Sequence, residues 1–139
     1  MENLDELISA ALSFIRIMRK NFIRKGHLNS FSIVQFEALY YINEVSQPTM
    51  KNIAQFLGIT PPSATSIVNA LIKMKKIERL NDKKDKRIVK LKLTPLGRKT
   101  VADTTKIISL RMKHIFSKLN EKERSALIKI YKKLSSHYE

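Results

Sequence analysis

Between Thr60 and Thr94 the hydrophobic pattern changes its period once, from that of a helix to that of a strand, and then changes back. Thr60 is a capping residue and Pro61 suits the first helical position, where no amide bond is lost. Ala64, Ile67, Val68, Leu71 and Met74 then recur on one face of a helix. After Lys76, Ile77 to Leu80 reads as one short strand and Arg87 to Leu93 as another. In the second, Val89, Leu91 and Leu93 fall on one side and Lys90 and Lys92 on the other. Asn81-Asp82-Lys83-Lys84-Asp85-Lys86 is a charged tip between them, and Thr94-Pro95 restarts a helix with the same device used at Thr60-Pro61.

The remainder reads as helix. With only 3 Gly and 4 Pro there is little material for long loops. Residues 3 to 25 carry Leu4, Ile8, Ala11, Ile15, Met18 and Phe22 in one stripe, widened by Leu7, Leu12 and Phe14, before a stop at Gly26. Ser30 precedes a second helix containing Phe36, Leu39, Tyr40 and Ile42, which ends at Ser46-Gln47-Pro48. KNIAQFLG forms a short third, with Ile53, Ala54 and Leu57 inward and Gly58 closing it. The helix from Pro95 runs to about Leu119. Asn120 with Glu123 then caps a last one, whose stripe is Leu127, Ile130, Tyr131, Leu134 and Tyr138.

Two short helices joined by a turn containing glycine, the second polar outside, have the form of a helix-turn-helix. The outer face of the second presents Pro62, Ser63, Thr65, Ser66, Asn69 and Lys73. Short hydroxyl and amide side chains let a helix lie deep in a major groove and bond to phosphates and base edges. A helical hairpin with a solvated polar face is the plain competing reading.

Charge shifts the balance. The formal net charge is +15, and a surplus that large in a compact fold calls for a polyanionic partner. From Lys73 to Arg98 the bases are Lys73, Lys75, Lys76, Arg79, Lys83, Lys84, Lys86, Arg87, Lys90, Lys92 and Arg98, against Glu78, Asp82 and Asp85. A basic hairpin directly after a recognition-type helix has the makings of a wing, with Lys83, Lys84, Asp85, Lys86 and Arg87 at its tip. Such a tip suits the backbone or the minor groove, where negative potential concentrates. Asp85, two residues from Arg87, is expected to steady the guanidinium, to bond to the turn amides, or both.

At this point the chain resembles the multiple-antibiotic-resistance regulator (MarR) family. The resemblance runs from NIAQFLGITPPSATSIVNALIKMKKIERL through NDKKDKRIVKLKLTPLGRK, with Asp85-Lys86-Arg87 and Leu93-Thr94-Pro95-Leu96-Gly97 as the wing signature. It implies a mainly α fold with a small β wing: a winged helix-turn-helix over 31–99, with residues 1–30 and 100–139 forming a helical dimerisation region. It also implies a homodimer on a near-palindromic double-stranded DNA operator. Ser63, Thr65, Ser66 and Asn69 would face the major groove and Arg87 the minor groove. Leu4, Ile8, Ala11, Ile15, Leu127, Tyr131 and Leu134 would lie at the dimer contact, which the otherwise uncovered apolar stripes also favour. Many members have Gly where this chain has Lys75, so the recognition helix is expected to end differently here.

Relatives often sense small aromatic compounds. Phe14, Phe31, Phe36 and Tyr40 are the residues such an effector pocket would draw on, with plain core packing as the competing reading. No metal and no cofactor is expected: His27, Glu37 and His114 are the nearest raw material. The absence of Cys removes thiolate, disulfide and cysteine redox chemistry. No nucleophile-and-base set, phosphate loop or paired carboxylates suggest an enzyme. The acidic start and the lack of a spanning apolar run suggest neither a secretory leader nor a membrane segment, so a cytoplasmic protein is expected. A non-specific DNA-coating or anionic-surface-binding helical protein is the alternative reading of the charge.

Overall fold

A computed structural model describes residues 2–24 and 32–138. The elements run α1 (Glu2–Arg24), α2 (Ile33–Glu44), α3 (Met50–Leu57), α4 (Pro61–Lys73), β1 (Ile77–Asn81), β2 (Val89–Leu93), α5 (Pro95–Phe116) and α6 (Glu121–Ser135). The expected architecture, mainly helical with one small antiparallel hairpin, is the one observed. The chain divides into compact units at Met1–Val101 and Ala102–Glu139.

Within the first unit, Ala38, Leu39 and Ile42 of α2 meet Ile53 of α3, Val68 and Leu71 of α4, Ile77, Leu91 and Leu93 of the sheet, and Val101 of α5. Each large aliphatic side chain buried there contributes roughly 1.5–3 kcal/mol. The alternation read in β2 holds for Leu91 and Leu93, which are buried, while Val89 is half-buried and Lys92 exposed.

The helices begin where side chains satisfy their first amides. Ser32 caps α2, two residues later than the expected boundary at Ser30, with Gln35 returning a bond to the Ser32 amide. Thr49 and Asn52 do the same for α3, and Asn120 and Glu123 for α6. Thr60 caps α4 ahead of its prolines. Helix α5 stops at Phe116, a little before the expected Leu119.

Both helices of the helix-turn-helix end in a left-handed residue. Gly58 has φ 63°, and its neighbour Ile59 donates to the Ala54 carbonyl. At the end of α4 the left-handed residue is Lys75, φ 59°, flanked by bonds from Lys75 to the Ile72 carbonyl and from Lys76 to the Leu71 carbonyl. The expectation of a different ending is therefore corrected: the backbone makes the glycine-type turn and the lysine bears the strain of its Cβ. Removing that strain should outweigh the extra freedom glycine gives the unfolded chain. Lys75→Gly should stabilise the protein by about 0.5–1 kcal/mol and raise the midpoint of thermal unfolding. Lys75→Ala, which keeps the Cβ, should give no such gain.

Candidate nucleic-acid interface

Helix α4 sorts its residues cleanly. Ala64, Val68 and Leu71 are fully buried, whereas Pro62, Ser63, Thr65, Ser66, Asn69 and Lys73 are all exposed. The hydroxyls near its start are already engaged locally: Thr60 donates to Ser63 Oγ at 2.9 Å and Thr65 donates to the Pro61 carbonyl at 3.0 Å. These bonds leave acceptor lone pairs, and the helix start adds a partial positive charge. Asn69 is bonded to a residue outside its helix, accepting at Oδ1 from the Arg79 guanidinium at 2.5 Å.

The wing is tied to the end of α4 at its base. The Thr94 amide donates to the Lys76 carbonyl at 3.1 Å and its hydroxyl to the Lys75 carbonyl at 2.6 Å. The same hydroxyl oxygen accepts from the Gly97 amide at 3.0 Å, capping α5. Gly97 lies against this junction so closely that a Cβ there would fall on the Lys76 carbonyl oxygen. Lys76 is part of this base: burial pulls its ammonium below the usual lysine range. The flank of the sheet is held as well, because Leu91 donates to the Pro48 carbonyl at 2.9 Å and Lys90 pairs in a bridge with Thr49.

The tip is ordered by its two acids. Asp85 accepts from the Arg87 amide at 3.0 Å, from Nε at 3.2 Å and from Nη2 at 3.3 Å, so it both shapes the turn and holds the guanidinium. The side-chain and then the backbone bonds from Arg87 lower the Asp85 pKa. Arg87 itself remains 91% exposed, a planar donor group displayed in a fixed pose. Asp82 accepts from the Lys84 amide at 2.8 Å and pairs with Lys90 at 3.4 Å, and its pKa is lowered by these bonds, the amide first. Lys83, Lys84 and Lys86 project into solvent.

Sequence patterning counted Arg79 among the bases of the wing segment but did not place it beside Asn69 of α4. Its signal was there: Arg79 pairs with Leu91 across the hairpin and so shares the face that turns toward α4.

The other expected residues divide. On α1, Leu4, Ile8 and Ile15 are 50–59% exposed and Ala11 is exposed. On α6, Tyr131 and Leu134 are about half-exposed and Leu127 is partly covered. Phe36 packs against the core and lies 6.1 Å from the half-exposed Tyr40, ring centre to ring centre. Phe14 is exposed on α1, and Phe31 and His27 lie outside the described residues. Among the described residues no cluster of His, Asp and Glu could hold a metal ion, and no helix is long and apolar enough to cross a membrane.

Residues 31–89 match the model of the MarR family. Among solved structures, Streptococcus pneumoniae FabT in complex with DNA is 20% identical, with a TM-score of 0.82 over 99% of this chain and 96% of FabT. A variant of S. aureus MepR bound to an oligodeoxyribonucleotide is 23% identical, TM-score 0.60, over 92% of this chain and 98% of its own. MarR is 22% identical, TM-score 0.76, over 94% and 96%. At these identities the likeness establishes the fold. No curated protein matches the chain.

Proposed function

Since residues 31–89 carry the sequence of the MarR family of transcription regulators, and the chain as a whole the winged-helix fold, we propose that this protein regulates transcription by binding a pseudo-palindromic operator as a homodimer. The observation that carries the reading is the pairing of two surfaces on one rigid base. A helix with a small polar face stands beside a basic hairpin whose Arg87 is held by Asp85 yet 91% exposed. Pro62, Ser63, Thr65, Ser66 and Lys73 supply the major-groove face, with Asn69 on the same exposed side of α4 bonded to Arg79, and Lys83, Lys84, Lys86 and Arg87 supply the wing. FabT and the MepR variant, which share the fold, were each solved with DNA bound.

The dimer rests on the apolar faces. Leu4, Leu7, Ile8, Leu12, Ile15 and Ile17 of α1 and Ile128, Ile130 and Leu134 of α6 are all at least half-exposed in a single copy, more apolar surface than a soluble monomer ordinarily leaves wet. We assign residues 1–30 and 100–139 to this dimerisation region. A dimer seated on a duplex excludes other proteins from it, so repression is the direct outcome. A small aromatic compound recognised by Phe14, Phe36 and Tyr40, and by Phe31 outside the described residues, is the release signal proposed with it.

Selection of bound sequences from a random duplex pool tests the reading. The recovered sites should contain an inverted repeat whose halves are centred about one helical turn apart. Recovery of unrelated sequences would instead favour non-specific coating of DNA by a chain of net charge +15.

A further inference from the structure

Asn69 sits on the exposed face of the recognition helix, one turn beyond Thr65 and Ser66 and one turn before Lys73, where an amide side chain is well placed to read a base. Reading adenine takes both ends of the amide, the oxygen accepting from N6 and the nitrogen donating to N7. Here one of the oxygen's two lone pairs is taken by the Arg79 guanidinium, which holds the amide toward the first strand. Arg79 stands on β1 opposite Leu91, so the bond spans from the recognition helix to the first strand of the wing.

The two displayed arginines differ in their partners. Arg87 is paired with a carboxylate, which offsets its charge. Arg79 is exposed and held by a neutral amide, and among the described residues no carboxylate lies within ion-pair distance of it. No neighbouring acid offsets its charge, and its other N–H groups remain available, between the helix and the wing. A fixed, uncompensated guanidinium beside a groove-reading helix is matched to a phosphate oxygen at the groove edge.

We propose that Arg79 contacts a DNA backbone phosphate, and that Asn69 is a positioning residue for Arg79 and not a reader of bases. The inference rests on the DNA-binding reading above and adds a contact that neither the recognition-helix face nor the wing tip supplies.

The test is the salt dependence of affinity, measured on a selected duplex and on a random one for the parent protein, Arg79→Ala, Arg79→Lys, Asn69→Ala and the double variant. Arg79→Ala should weaken both duplexes by the same factor. It should also flatten the slope of log affinity against log salt by about 0.9 per phosphate released, hence about 1.8 for a dimer. Arg79→Lys should keep the slope. Asn69→Ala should weaken binding less than Arg79→Ala and leave base preference unchanged, and the double variant should be no weaker than Arg79→Ala alone. An Arg79→Ala slope equal to the parent's overturns the phosphate contact. Relaxed preference at one base position in Asn69→Ala overturns the positioning role. A parent protein with no preference between the duplexes overturns the operator reading instead, while the slopes still decide the role of Arg79.

Discussion

Arg87→Ala should weaken binding to the selected operator by roughly 30- to 25,000-fold at physiological salt, while the oligomeric state stays that of the parent. A well-placed arginine contact is worth about 1–3 kcal/mol, and a twofold dimer loses two of them. The side chain is 91% exposed and takes part in no core packing, so the loss should appear in DNA affinity without a change in thermal stability. Asp85→Ala separates pose from charge. Removing the acid frees a positive charge beside the phosphates, so affinity for random DNA should rise. Losing the bonds that hold Arg87 should lower affinity for the operator. The ratio of specific to non-specific affinity, read by competition, should fall from both sides. Operator binding by Arg87→Ala as tight as the parent's would remove the wing from the interface.

Gly97→Ala should destabilise the protein by at least about 3 kcal/mol, a large part of the 5–15 kcal/mol that ordinarily holds a domain folded. The position needs no unusual backbone angle. It needs the absence of a Cβ, because that atom would fall on the Lys76 carbonyl oxygen. Relief requires the start of α5 to move away from the end of α4. That movement strains the bonds from Thr94 to the Lys75 and Lys76 carbonyls, which fix the base of the wing. Thermal unfolding gives the stability, and amide hydrogen exchange at Thr94 and Gly97 locates the damage. A variant with the parent's unfolding midpoint would mean that this junction tolerates far more movement than its packing implies.

Much of this arrangement was legible in the sequence because it rests on local rules. The period switch at Lys76 located the hairpin, and Thr60-Pro61 and Asn120 with Glu123 marked helix starts that the structure places at the same residues. The polar face of α4 followed from spacing alone, since burying Ala64, Val68 and Leu71 leaves Pro62, Ser63, Thr65, Ser66, Asn69 and Lys73 outside. Asp85 offered two local roles, and the tip uses both.

What pattern did not reveal depends on distance in space. The Asn69–Arg79 bond joins residues ten apart on different elements, and no helical or strand period relates them. The Thr94 hydroxyl reaches a carbonyl nineteen residues back. Lys75 shows the limit from the other side. Propensity alone argues against a lysine at φ 59°, yet the bonds on either side of it and the wing that follows hold the turn in place. The start of α2 moved to Ser32 for a smaller reason: a cap is decided by which hydroxyl meets the third amide of the helix, and two serines were available.

The account stands most directly on how the protein lies on DNA. Hydroxyl-radical cleavage of a selected duplex, with and without protein, should show protected backbone patches on one face, about one helical turn apart and related by a twofold axis. Those patches should shrink at their outer edges in Arg87→Ala. Protection spread evenly around the duplex, or a single patch without a symmetric mate, would contradict it.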